Sequence, residues 1–271
     1  MTERGPEPSD AKATYVFAVC RNPDPAAVAG LPGVTDEAPV GTLPLGTLTA
    51  IVQPVRAVDF TDEAWQARLS DQRELERYAR AHHEVVAAAA ARCPTVPLPM
   101  ATLYHGEERA REALAREADR FHAALGRIAH HAEWGVKVYV PACPPNDTDR
   151  TPDRRTTPGD RSRPAPGAGL AYLDRKRGLQ ERRERRQDEA LRTAEAVDAE
   201  VRGLATASRR LRPHGPQAAG ERRVQILNAT YLVAEHRADE LALLARTLRK
   251  RTGADIELSG PWVPYSFVGE V

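Results

Sequence analysis

Large aromatic side chains are scarce in this sequence, with three Trp, seven Tyr and four Phe in 271 residues. That scarcity excludes a core built on big rings and leaves the interior to Ala, Val and Leu. Cysteine is scarce too. Cys20, Cys93 and Cys143 are odd in number, far apart and without a CxxC pair. They form neither a disulfide framework nor a zinc site, and three reduced thiols are expected. Net charge is almost absent, 39 Lys and Arg against 38 Asp and Glu, so no whole-protein field draws in nucleic acid. Lysine itself is confined to Lys12, Lys137, Lys176 and Lys250. No apolar run approaches the roughly 20 residues of a membrane helix. The opening MTERGPEPSD is polar and lacks the apolar stretch of a secretory signal. A cytoplasmic protein, long enough for two domains, is expected.

Residues 1–12 read as a disordered N-terminus. YVFAVC at Tyr15–Cys20 and the stretch Thr47–Val52, ended by Pro54, read as strands. Thr61 suits the cap of a short helix carrying Trp65 and Leu69. A longer helix over Asp71–Arg92 has a buried stripe of Leu75, Tyr78, Ala79, His82, Val86 and Ala89. Thr95–Gly106 is extended because its prolines exclude helix. One helix is expected over Glu107–His131, lined by Ala110, Ala113, Leu114, Phe121, Leu125 and Ile128. EWGVKVYV at Glu133–Val140 alternates as a strand does. The Pro-, Asp- and Arg-rich stretch 141–169 reads as a flexible loop. A polar helix over Tyr172–Leu211, a strand at Val224–Val233, a helix at Arg237–Arg251 stopped by Gly253, and a strand at Asp255–Leu258 follow.

The pattern predicts an α+β fold of two domains. Composition alone sets the boundary in the 141–169 stretch. The preferred boundary lies near His131, giving an N-terminal α+β domain over 13–132, a C-terminal ferredoxin-like domain with a long helical extension over 133–258, and a C-terminal tail over 259–271 packing between domains.

No catalytic, cofactor-binding or metal-binding constellation emerges. His82–His83 and His130–His131 are adjacent pairs, and helical neighbours point apart. His82 lies on an apolar stripe and reads as a core histidine. GAG at Gly167–Gly169 follows no strand, so it is not a dinucleotide loop. No Walker A sequence and no GxSxG elbow occur. The run Arg175–Arg186 interleaves with Glu181, Glu184, Asp188 and Glu189, which reads as a solvated helix held by i,i+4 pairs.

LSGPWVPYSFV at Leu258–Val268 stands out. Trp262, Tyr265 and Phe267 fall within six residues, and Pro261 and Pro264 stiffen the backbone. Such a segment is suited to burial, either as a clamp on its own domains or as a docking strand. It resembles the C-terminal signature of the gas vesicle GvpL/GvpF family. EWGVKVYV resembles that family's Glu-Trp-Gly-Val-Lys strand, and YVFAVC, PLPMATLY at Pro97–Tyr104 and GLAYLDRKR at Gly169–Arg177 agree in order and spacing. Two departures stand out. Pro99, Met100 and Ala101 replace the family's Arg-Phe-Gly, and Val263 stands where a proline is common.

The resemblance implies an accessory or minor structural protein of gas vesicle formation, cytoplasmic or on the vesicle. It implies no enzyme and no cofactor. The implied partners are the small hydrophobic shell protein GvpA and other gas vesicle proteins, with no small-molecule substrate, nucleic acid or membrane. The interaction residues are expected to be Leu258, Ser259, Gly260, Pro261, Trp262, Pro264, Tyr265, Ser266 and Phe267, with Trp134 and Lys137 of the strand. The rival readings are an enzyme on a ferredoxin-like scaffold and an RNA- or protein-binding adaptor using the Arg-rich helix.

Overall fold

The computed structural model describes residues 11–142, 168–212 and 223–269. Most of the N-terminal segment and of the 141–169 stretch therefore lies outside the described residues. The chain divides into two compact units. One holds the residues up to Glu133 together with the segment from Gly260 onward, and the other runs Trp134–Ser259.

The first unit is built around β1 (Lys12–Cys20). β1 pairs antiparallel with β3 (Leu48–Arg56), β4 (Thr95–Pro97) and β5 (Leu103–Tyr104), and β2 (Gly41–Leu45) pairs with β3. The order β2-β3-β1-β4 puts β1 inside the sheet, and it is buried from Ala13 to Cys20. A strand covered on both faces reads as a continuous apolar run, as YVFAVC does. On one face Tyr15, Phe17, Ala18 and Cys20 join Tyr78, Val85, Val86 and Ala89. On the other, Val16 and Val19 join Ala110, Leu114, Phe121 and Leu125.

The helices that cover these faces are α1 (Asp62–Ser70), α2 (Gln72–Ala90), α3 (Glu107–Arg116) and α4 (Ala118–Ile128). Thr61 caps α1 by accepting from the Ala64 amide, and Asp71 caps α2 by accepting from Arg73 and Glu74. The expected single helix over Glu107–His131 is two helices. Glu117, at φ −99° and ψ 11°, breaks it, and His131 belongs to the following strand. β2 is a strand beyond the expected ones, and it contains Pro44. It survives as the edge of the sheet, where a missing N–H is tolerated. β3 runs on through Pro54, which lies past the last β2 pairing at Val52.

The second unit follows the order β6 (His131–Pro141), α5 (Ala168–Leu204), β7 (Ala207–Arg210), β8 (Arg223–Ala234), α6 (Ala238–Thr252) and β9 (Asp255–Trp262). Its sheet has the order β7-β8-β6-β9. Ala194, Val197 and Val201 of α5 and Leu241, Ala245 and Leu248 of α6 are buried, together with Val136 and Val138 of β6. Gly253 ends α6 at φ 68°, a left-handed conformation that costs glycine little. The expected helix to Leu211 stops at Leu204. Ser208 and Leu211 fit the helical spacing, but Ser208 instead pairs with Tyr231 in β7. Asp198, buried on α5, accepts from Tyr231 Oη at 2.5 Å and pairs with Arg210 and Arg202, fixing the helix against this hairpin.

Candidate interaction surface

The tail is fastened to the first unit residue by residue. After β9 the chain passes Pro264 into a 3-10 turn at Tyr265–Phe267. The Ser266 amide donates to Glu133 Oε2 at 2.9 Å, and Ser266 Oγ donates to Glu133 Oε1 at 2.6 Å. Glu133 is buried at the start of β6, so its charge is taken out of water and held by these two donors. Arg127 Nη1 on α4 donates to the Phe267 carbonyl. The Tyr265 hydroxyl lies 3.5 Å from His83 Nδ1 on α2, and burial raises the Tyr265 pKa.

The apolar contacts straddle the sheet. Val263 and Tyr265 pack on the α2-side cluster, and Val268 belongs to the α3/α4-side cluster. Phe267 is 8% exposed. Trp262 corrects an expectation: it is 51% exposed, with its ring edge-on to His83 at 6.2 Å between centroids. Of the three expected aromatic anchors, Phe267 is buried, Tyr265 half-buried, and Trp262 largely presented outward.

The other named residues sit nearby in sequence but not all in one place. Leu258 and Ser259 close the second unit, while Gly260, Pro261 and Trp262 continue β9 into the first. The Gly260–Pro261 bond is cis. In β6, Trp134 is buried and Lys137 is half-buried. Gly135 faces Ser259, whose Oγ lies 3.5 Å from the Gly135 carbonyl. A Cβ on Gly135 would fall 2.6 Å from that Oγ. Glu133, Arg127 and His83 were not anticipated, since each acts on a residue more than a hundred positions away.

Beside the tail lies a groove of about 270 Å³. Val96 and Leu98 form one wall, Phe121 and Ala124 of α4 another, and Tyr265 and Val268 a third, with the Glu117–Arg120 ion pair at its rim. A second, shallow depression contains His105, where Glu112 pairs with Arg109 and Arg116. Among the described residues the histidines do not converge. His82 is bonded to Tyr15 in the core, and His122 lies between Thr47 and Arg21 at the surface. Among the described residues no group of three or more His, Cys, Asp or Glu could hold a metal ion. No helix among them is long and apolar enough to cross a membrane.

The family described as gas vesicle synthesis protein GvpL/GvpF matches residues 13–269, nearly the whole described chain and all of the tail contacts above. The chain belongs to the GvpL/GvpF family. It is 33% identical to gas vesicle protein L of a Streptomyces species, over 94% of this chain and 92% of that one. It is 26% identical to gas vesicle protein L1 of Halobacterium salinarum, over 100% and 99% of the two chains. Its fold is that of crystal structures of GvpF from Anabaena (TM-score 0.63, 15% identity, 96% and 97% covered) and from Microcystis aeruginosa (TM-score 0.59, 12% identity, 94% and 98% covered). GvpL/GvpF membership gives the chain a role in gas vesicle formation and an association with gas vesicle proteins. The mixed α and β architecture with two sheets is the family's fold.

Proposed function

We propose that this GvpL/GvpF chain is an accessory or minor structural protein that binds the GvpA-type shell protein, other gas vesicle proteins, or both, during assembly. It acts by contact and not by catalysis. The observation carrying this reading is the family match across residues 13–269, which includes the walls of the groove between β4, α4 and the tail. A hydrophobic shell subunit needs its apolar surface covered until it joins the vesicle wall. The groove offers Val96, Leu98, Phe121, Ala124 and Val268 to an apolar side chain, with the Arg120 and Glu117 charges at its mouth. We also read the second unit as a modified ferredoxin-like fold, supported by its βαββαβ order and β7-β8-β6-β9 sheet, with α5 as the long extension.

The test is co-purification with GvpA from cells making both. Wild type is expected to retain the shell protein, and Leu98→Glu or Ala124→Glu to lose it while keeping the wild-type circular dichroism. Failure of wild type to retain GvpA under assembly conditions would remove the shell-binding reading. Retention unaffected by both variants would move the contact elsewhere.

A further inference from the structure

The first unit holds two cysteines at one corner. Cys20 ends β1 and is fully buried, while Cys93 lies just past α2 and is partly exposed. Cross-strand pairing places Cys20 opposite Thr95, two residues after Cys93. Cys93 Sγ lies 3.8 Å from Thr95 Oγ1 and 3.7 Å from the Ala89 carbonyl, and Cys20 Sγ donates toward the Thr49 carbonyl at 3.6 Å. Both side chains belong to or pack on the same apolar cluster. Cys20 is paired across the sheet with Thr95, and Cys93 touches the Thr95 hydroxyl, so both thiols lie beside the same residue.

We propose that Cys20 and Cys93 form a reversible dithiol–disulfide pair, a modification site for a hydroperoxide, with Cys93 the attacking and Cys20 the resolving sulfur. Exposure sets the roles, since only Cys93 has a solvent-facing side. Hydrogen bonding to Cys93 and then burial push the Cys20 thiol up, whereas Cys20 S–H and the Thr95 hydroxyl can donate to a Cys93 thiolate and favour its ionisation. In the first step the Cys93 thiolate attacks the outer peroxide oxygen. The O–O bond breaks, an alcohol or water leaves after taking a proton, and Cys93 becomes a sulfenic acid. In the second step the Cys20 sulfur attacks Cys93 Sγ and the S–O bond breaks. The leaving hydroxide takes the Cys20 proton as water. Two thiols and one hydroperoxide give one disulfide, one alcohol or water from the peroxide, and one further water. The disulfide ties the end of β1 to the turn after α2, and a second thiol reverses it by exchange.

The experiment treats the full-length protein with hydrogen peroxide, alkylates residual thiols and maps the peptides by mass spectrometry. A Cys20–Cys93 cross-linked peptide, lighter by about 2 Da than the two thiol peptides together and lost on adding dithiothreitol, is expected. The same cross-link is expected from a Cys143→Ser variant. Cys20→Ala should leave a Cys93 sulfenic acid that dimedone traps, while Cys93→Ser should leave Cys20 unmodified by dimedone. Wild type that keeps both thiols alkylatable while its far-ultraviolet spectrum stays native would overturn the proposal. So would a cross-link to Cys143 in their place, or dimedone trapping at Cys20 in Cys93→Ser. If Cys20→Ala does not fold, the wild-type and Cys143→Ser maps decide the pairing by themselves.

Discussion

Glu133 holds Ser266 with both carboxylate oxygens, one taking the backbone amide and the other the hydroxyl, across 133 positions of sequence. Each partner lies in one of the two segments that resemble the family most specifically. Glu133→Ala removes the acceptor for two donors and leaves the tail amide without its partner. A loss of about 2 kcal/mol is expected, with Ser266→Ala costing about half as much because the amide bond remains. Urea denaturation checks the size. Limited proteolysis should cut the Glu133→Ala protein first within the segment after Trp262.

Why Glu133 escaped a reading of the sequence is a matter of range. The strand itself was legible, because Val136 and Val138 alternate with Lys137 and Tyr139 and no turn residue interrupts them. Thr61 was legible too, since an N-cap is a local hydrogen bond. A carboxylate whose partner lies at the far end of the chain leaves no local trace. The break at Glu117 leaves none either: Leu114 and Phe121 are seven apart, as in an unbroken helix, and neither Gly nor Pro marks the site. β7 was hidden for a related reason. Ser208 continues the helical spacing of Val197, Val201 and Leu204, and only pairing with β8 makes it a strand. In the tail, composition showed that aromatics cluster, while the packing that leaves Trp262 exposed and Phe267 covered depends on α2 and α4.

Gly135 and Ser259 make a second contact between the same two segments. A Cβ at Gly135 meets only Ser259 Oγ at close range, and a serine rotor can turn away. Gly135→Ala is therefore expected to cost about 1 kcal/mol or less, and Gly135→Val clearly more, because a branched side chain needs more room than one rotor provides. The Gly135→Ala, Ser259→Ala double variant should recover part of the loss. A double-mutant cycle on melting free energies measures that coupling. Additive effects would show that the two residues do not share the space.

His82 makes the first unit sensitive to acid. It is buried against Tyr15, with its Nδ1 2.8 Å from the Tyr15 hydroxyl, and burial lowers its pKa from 6.5 to about 4. Between those values the unfolded chain binds a proton that the folded chain refuses. Stability from this group is thus complete above about pH 6.5 and is lost as pH falls toward 4, by up to about 3 kcal/mol. Denaturant midpoints at pH 7, 6 and 5 should fall in that order. His82→Gln should lower stability at pH 7 and flatten the slope between pH 7 and 5. An unchanged slope would show that another group carries the acid response.

Gln53 makes four side-chain hydrogen bonds within the first unit. Its Nε2 lies within 2.9 Å of the carbonyls of Pro32, Thr35 and Ala38, and its Oε1 accepts from the Val34 amide at 2.8 Å. It is fully buried, and Gly33 leaves the space its amide fills. One amide group thereby organises the loop between β1 and β2 over β3. Gln53→Ala strips partners from several backbone groups at once, and a loss of about 3 kcal/mol is expected. Gln53→Glu is expected to be at least as damaging despite its equal size. It replaces a donor facing three carbonyls with an oxygen that repels them, and buries a charge without a cation. Thermal melting gives the ranking. Hydrogen exchange at the Val34 amide, protected in the wild type by Gln53 Oε1, should become fast in Gln53→Ala, whereas amides in the centre of β1 should exchange only as fast as the global loss of stability requires.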